Sequence, residues 1–314
     1  NVEDHAAVDH WRQWGLIWGF PEAVRYSVAF DPESFVDVAL DLLGAAGVRL
    51  RLMTWFAAAH VVDGRIDAVV VESKSGRQVI RPAVVVDATG DGDVFAAAGA
   101  AFEQVSVPPY LWFRAGGVDT AAAMAGGIWF RTTGDGRVLV PWGPDGERVD
   151  ACDAEQLSDA LVRCRVGARA EFERLRRDVP AFASAYLDDY ARFLGVTESR
   201  RLVGDHVLTK EEGDATFPDT VARTGHWTRR GVVFEVPYGA LKTQAVANLL
   251  VAGRCISTTR YVHQATKEIP AAMATGEAAG VAAAMAAPRG DVHAVDIERL
   301  RATLAAAGAD VGPR

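Results

Sequence analysis

Thr258-Thr259-Arg260-Tyr261-Val262-His263-Gln264-Ala265-Thr266-Lys267-Glu268 gathers three groups capable of chemistry into one short segment. Imidazole is the side chain whose ordinary pKa lies closest to neutrality, so His263 is a candidate base that takes a proton near pH 7. Arg260 and Lys267 are cations on long stems, suited to holding an anionic or hydroxylated small molecule. Lys267 has a plainer reading as a surface ion-pair partner of Glu268 or Glu277, and exposed pairs of that kind are weak.

Two other stretches place glycines where an apolar run ends. Ala83-Val84-Val85-Val86-Asp87 leads into Ala88-Thr89-Gly90-Asp91-Gly92-Asp93, and Asn248-Leu249-Leu250-Val251-Ala252 leads into Gly253-Arg254-Cys255. Strand, glycine turn and helix in that order bring backbone N–H groups to the carboxyl end of a sheet, a layout suited to a nucleotide-type ligand. Asp91 and Asp93 have a simpler alternative as caps of the helix expected from Val94 to Ala101. Cys255 reads as a small buried hydrophobe, since no second cysteine stands nearby to resolve a disulfide.

The elements that must position these groups are legible in outline. Residues 31–46 predict an amphipathic helix with Asp31 as N-cap, Pro32 at the first helical position and Phe35, Val38, Leu42 and Leu43 on its apolar face. Gly47 ends it, and VRLRLMTW follows with strand-like alternation. Short strands at Ala57–Val62, Ile66–Ser73 and Arg77–Arg81, turning at Asp63-Gly64 and Ser75-Gly76, predict an antiparallel meander. The runs at 83–87 and 248–252 suit buried parallel strands meeting in one sheet. A loop of about a dozen residues then leads to Pro270 and an alanine-rich helix. That helix contains Gly276-x-x-x-Gly280, but Glu277 interrupts it and alanine is weakly apolar, so we expect a buried helix lying close against a sheet and no membrane span. Between the two glycine turns lie a charged helix from about Asp153 to Arg177 and β-like pieces at Gly204–Leu208 and Gly231–Val236.

Composition narrows the classes. The 314 residues are 50% hydrophobic with a formal charge of −8, which argues against a nucleic-acid or anionic-membrane surface. Arg174, Arg176 and Arg177 cluster, but Glu171, Glu173 and Asp178 among them mark a solvated helix face. Cys152, Cys164 and Cys255 are too widely spaced for a zinc or iron–sulfur site or a disulfide framework, and a reducing cytoplasm fits them best.

Three segments together resemble signatures of a family of bacterial FAD-dependent oxidoreductases: VVVDATGDGDVFAAAGAAFE at 84–103, NLLVAGRCIS at 248–257 and IPAAMATGEAAGVAAAMA at 269–286. Glu198-Ser199-Arg200-Arg201, then GDHVLT and Phe217-Pro218-Asp219, are similar to the family's middle segment. These proteins resemble the glutathione-reductase-type flavoprotein fold and the flavin region of heterodisulfide reductase. The resemblance implies an α/β fold with a Rossmann-like three-layer FAD/NAD(P)-binding domain and a β-meander, formed by 1–102 and 246–288. A mixed α+β substrate region would be inserted at 103–245, with a C-terminal helical tail at 289–314.

It further implies FAD as cofactor, a small organic substrate and hydride transfer to or from flavin N5. Phe56 would offer its backbone to the adenine. Thr89, Gly90, Asp91 and Gly92 would line the diphosphate, and Gly253 and Arg254 would approach the ribityl chain. The N-terminus of the alanine-rich helix, at Ile269, Ala271 and Ala272, would point its partial positive charge at the flavin N1–C2=O edge. Family members often carry histidine where Arg260 stands and arginine where Lys267 stands, so inherited catalytic roles do not transfer directly. The family's first GGGxxG loop is not in this chain; we expect it upstream of Asn1, and expect these residues alone to hold FAD poorly. The competing expectation is a flavin-fold binding protein without catalytic activity.

Overall fold

The computed structural model describes residues 31–126, 130–131, 136–226 and 231–312. In chain order the elements are α1 (Pro32–Ala45), β1 (Thr54–Val62), β2 (Arg65–Ser73), β3 (Gly76–Ile80), β4 (Val85–Asp87), α2 (Asp93–Ala97) and β5 (Phe102–Gln104). Then come β6 (Ser106–Val107), β7 (Phe113–Gly116), α3 (Thr120–Gly126), β8 (Phe130–Arg131), β9 (Val138–Val140), β10 (Val149–Asp150), α4 (Ala154–Asp178) and β11 (Tyr186–Tyr190). The last are β12 (Arg200–Leu202), β13 (Thr220–Gly225), β14 (Val233–Pro237), β15 (Leu249–Val251), α5 (Arg260–Thr266), α6 (Ile269–Ala286) and α7 (Ile297–Ala306). They fall into two compact units.

One unit comprises Leu52–Val105 and Thr197–Arg314. Its meander, β1-β2-β3, forms as the turn residues require. Asp63 and Gly64 both take positive φ (48° and 70°), the conformation of a tight hairpin turn that matches strand twist. β4 and β15 pair in parallel, Leu249 beside Val85 and Val251 beside Asp87, so the two glycine turns emerge side by side. Buried Asn248 ties this pair to the meander: its Oδ1 accepts from Ile66 N at 2.8 Å and its Nδ2 donates to Ile66 O at 2.9 Å. β5 pairs with β12, and β13 with β14, both antiparallel.

α6 lies against β4, β13, β15 and α7. By length and composition it is the one described helix apolar enough to cross a membrane. Here Ala271 and Thr275 are buried, and Ala278, Ala279, Ala282 and Ala286 join the core with Leu249, Leu250, Val251, Val262 and Phe234. The close approach comes from those alanines. A Cβ added at Gly276 or Gly280 would meet nothing within 4 Å, so the GxxxG pair is not a packing groove.

The other unit holds 31–51 and Ser106–Val196. Asp31 caps α1 by accepting from Ser34 N at 2.8 Å, with Pro32 in the first turn, as expected. The sheet order is β11-β7-β9-β8. α4, capped by Asp153, buries Ala160 and Cys164, and packs Ala168, Phe172 and Leu175 into one cluster with Phe113, Val138, Val140 and Phe182. Its outer face carries Arg174–Glu171 and Arg177–Asp178 pairs, the solvated pattern expected.

Four local expectations change. VRLRLMTW is not a strand as a whole; residues 48–53 are irregular, and β1 begins at Thr54 after Met53 at φ 54°. Gly204–Leu208 forms only an isolated bridge, Leu208 to Thr258. Arg260–Thr266 is a helix rather than loop. The compact units also divide differently from the sequence-based segments: 197–245 and 289–312 belong with β4 and β15. The reason is that β12 completes a pair with β5, β13 packs on α6, and α7 packs on both.

Candidate active site

Asp87 organises the first turn. Fully buried at the end of β4, its Oδ1 accepts from Thr89 N (3.1 Å) and Thr89 Oγ1 (2.7 Å), and its Oδ2 accepts from Val94 N (3.0 Å) and Phe95 N (2.9 Å). Four donors on one carboxylate fix a turn in which Gly90 and Gly92 take φ of 80° and 67°. Asp91 and Asp93 therefore do not cap α2, contrary to the simpler expectation. Asp87 does, and it takes the first-turn N–H groups of that helix. What the turn offers a ligand is the backbone and side chains of Thr89 to Gly92.

Asp91 and Asp93 instead hold arginines. Asp91 Oδ1 accepts from Arg254 Nη2 at 2.8 Å and from Ser199 Oγ at 2.5 Å. Asp93 pairs with Arg200 Nη2 at 2.6 Å, and its carboxyl is pushed above the usual range by burial, against the attraction of Arg200. The second turn is fixed by the helix that follows: Gly253 N donates to Thr275 Oγ1 on α6 at 3.0 Å. Gly253 sits at φ 81°, and an added Cβ would touch only Ala272 Cβ at 3.9 Å, so a ligand can approach this backbone closely. Cys255 is buried, its thiol pushed up to about 12 by desolvation and by the Asp87 charge, which makes it an inert small side chain as expected.

α6 begins without a side-chain cap at Glu268, and Pro270 occupies its first turn. Its N-terminal N–H groups, including that of buried Ala271, have no intrahelical acceptor, and its 18 residues carry a full macrodipole. Ile269 is exposed beside it. Phe56 lies half-buried in β1 opposite Val71, next to a register shift.

His263, on α5, is completely buried, and neither ring nitrogen has a hydrogen-bond partner among the described residues. Desolvation, then the charges of Arg201, Lys267, Arg254 and Arg260, push its pKa down to about 3. A base that titrates near neutrality is therefore not what this environment makes of His263; the ring is neutral and closed off at pH 7. Arg260 is exposed, with its Nε 3.5 Å from Glu198 Oε2. Lys267 is half-buried, its pKa lowered by desolvation although Glu268 opposes the shift.

Sequence reasoning missed the buried network beneath these groups. Arg201 pairs with Glu198, donates from Nη2 to Glu103 Oε2 at 2.6 Å, and donates from Nε to Thr258 O at 3.0 Å. It thus fastens β5, β12 and the start of α5 together, and Arg200 and Arg201 are both paired structural arginines. A cavity of about 300 Å³ lined by Met285, Arg289, Asp291 and Arg299 contains none of these residues.

Two parallel strands that deliver glycine turns to one edge, beside an uncapped helix N-terminus, define an α/β protein shaped for a nucleotide cofactor. The family described as FAD dependent oxidoreductase matches residues 5–125 and 121–304, and the chain belongs to it, with FAD as cofactor. None of the curated proteins compared with the chain matches it. Among solved structures it is similar to p-nitrophenol 4-monooxygenase from Pseudomonas putida, at 13% identity over 88% of this chain and 57% of that one, TM-score 0.42. It is also similar to a geranylgeranyl bacteriochlorophyll reductase-like protein from Thermoplasma acidophilum, at 11% identity over 87% and 59%, TM-score 0.43. A third is the myxobacterial chondrochloren halogenase, an FAD-dependent halogenase variant, at 14% over 86% and 54%, TM-score 0.42. The chain thus spans between half and three-fifths of these proteins' length.

The residues present fit the cofactor. Gly253 leaves room for close approach, and the uncapped α6 and the buried, acceptor-less Nε of Arg254 are donors that a polar, anionic dinucleotide needs.

Proposed function

We propose that this chain forms the larger part of an FAD-dependent oxidoreductase that passes hydride between a small organic molecule and the flavin. The observation that carries this reading is the pairing of β4 with β15, which sets Thr89–Gly92 beside Gly253-Arg254 and the start of α6. In this reading β4 and β15 are central strands of a Rossmann-like three-layer domain, and the unit holding Ser106–Val196 serves the substrate.

When bound, FAD supplies a two-electron acceptor and donor at N5. Thr89, Gly90, Asp91 and Gly92 would hold its diphosphate side, with Gly253 and Arg254 on the ribityl side and the backbone of Phe56 toward the adenine. Ile269, Ala271 and Ala272 present the positive end of the α6 dipole, which favours negative charge at the flavin's N1–C2=O edge. Arg260, the exposed cation of the segment, orients an anionic or hydroxylated substrate, and Lys267 backs it from a half-buried position. Neutral His263 shapes the site and excludes water; it does not carry a proton at pH 7.

The test is anaerobic mixing of the flavin-loaded, full-length protein with panels of small alcohols, amines and hydroxy acids, followed by flavin absorbance. Bleaching that slows several-fold when the donor carbon is deuterated supports hydride transfer. A bound flavin that no organic donor bleaches, and whose reduced form no organic acceptor reoxidises, supports the non-catalytic binding protein instead.

A further inference from the structure

Asp91 and Arg254 stand 163 residues apart and join the two glycine turns directly. We propose that this pair is a latch that joins the first turn to the second and aims the Arg254 guanidinium, so that FAD affinity depends on the pair rather than on either charge alone. The inference rests on the FAD site proposed above.

Three observations converge on it. First, Asp91 is held twice through one oxygen, by Arg254 and by Ser199, so the carboxylate cannot move independently of the chain entering β12. Second, the Arg254 guanidinium lies across Gly90. A Cβ at Gly90 would stand 3.0 Å from Cζ, 3.2 Å from Nη2 and 3.3 Å from Nε, so a side chain there would crowd the guanidinium and push it by a few tenths of an ångström. Third, Nε of Arg254 is buried and has no acceptor among the described residues. A buried N–H without a partner is costly, and a cofactor oxygen is the acceptor it lacks. With Nη2 fixed on Asp91, the rigid guanidinium plane fixes the direction of Nε as well. An unpaired Asp91 would instead set a bare carboxylate beside the diphosphate. Asp91 is thus a positioning residue acting through Arg254.

The experiment is a double-mutant cycle on the dissociation constant of FAD, measured by flavin fluorescence with the full-length apoprotein; the thermal midpoint of each apoprotein serves as folding control. The latch predicts that Asp91→Asn and Arg254→Gln each weaken FAD by about ten- to a hundredfold, and that the double variant is no worse than the worse single one. Arg254→Lys, which keeps the charge but loses the planar fork, binds FAD more weakly than the parent. It also keeps the test open should Arg254→Gln fail to fold. Asp91→Asn that leaves FAD affinity unchanged or tighter, effects that simply add, or full affinity in Arg254→Lys each overturn the latch. Failure of the parent protein to bind FAD overturns the cofactor reading beneath it, a different result from a parent that binds and variants that do not differ.

Discussion

The Asp87 carboxylate caps Phe95, accepting its backbone N–H at 2.9 Å across eight residues of chain. With Val94 N and both donors of Thr89 on the same group, this one side chain defines the turn proposed to hold the cofactor. Asp87→Asn keeps the volume but turns an amide NH2 toward N–H donors. We predict a loss on the order of 2–4 kcal/mol in urea unfolding, with weaker FAD binding. Unchanged stability contradicts the organising role.

Thr275→Val tests the second turn. The change is close to isosteric, yet it removes the acceptor of the Gly253 N–H from a fully buried position. An unsatisfied buried donor costs about 1–3 kcal/mol, and the loosened turn weakens FAD binding. Thermal unfolding and flavin fluorescence measure the two effects separately. Substitution by serine, which restores the oxygen, recovers most of the binding.

Arg201→Ala leaves Glu198 buried with only exposed Arg260 for company. Breaking a buried pair from one side costs about 3–5 kcal/mol, so this variant is strongly destabilised in denaturant titration. Removing exposed Arg260 costs less than about 1 kcal/mol of stability and acts on substrate affinity instead. Equal destabilisation by the two changes contradicts this division of labour.

His263 gives a pH signature. Its folded pKa of about 3 lies below the ordinary value of 6.5, so between those values the unfolded chain binds the extra proton. The stability it confers is complete above pH 6.5 and is lost as pH falls toward 3. His263→Gln flattens the pH dependence of unfolding in that window, and NMR of the ring shows no titration between about pH 5 and 8, where an ordinary imidazole changes charge. A His263 resonance that titrates near neutrality restores the base reading.

Much of the frame was legible because its signals are local. Asp63-Gly64 and Ser75-Gly76 specify hairpin turns, Asp31-Pro32 starts a helix, and the apolar runs ending at Asp87 and Val251 read as strands. What escaped depends on distance or on silent caps. The N-cap of α5, Thr259, makes no side-chain hydrogen bond to the helix, so RYVHQAT reads as loop. Asp87 caps at a span of seven and eight residues, far beyond the local spacing of an ordinary N-cap. The burial that moves His263 away from neutrality, and the Glu198–Arg201–Glu103 network, are products of tertiary packing that no local spacing encodes.

Flavin content of the purified full-length protein, read from its visible spectrum and from the nucleotide released on denaturation, bears most directly on the FAD site. A yellow protein that releases FAD in near-equal ratio to chains is the expected result. A colourless protein that takes up no FAD when the cofactor is added contradicts it.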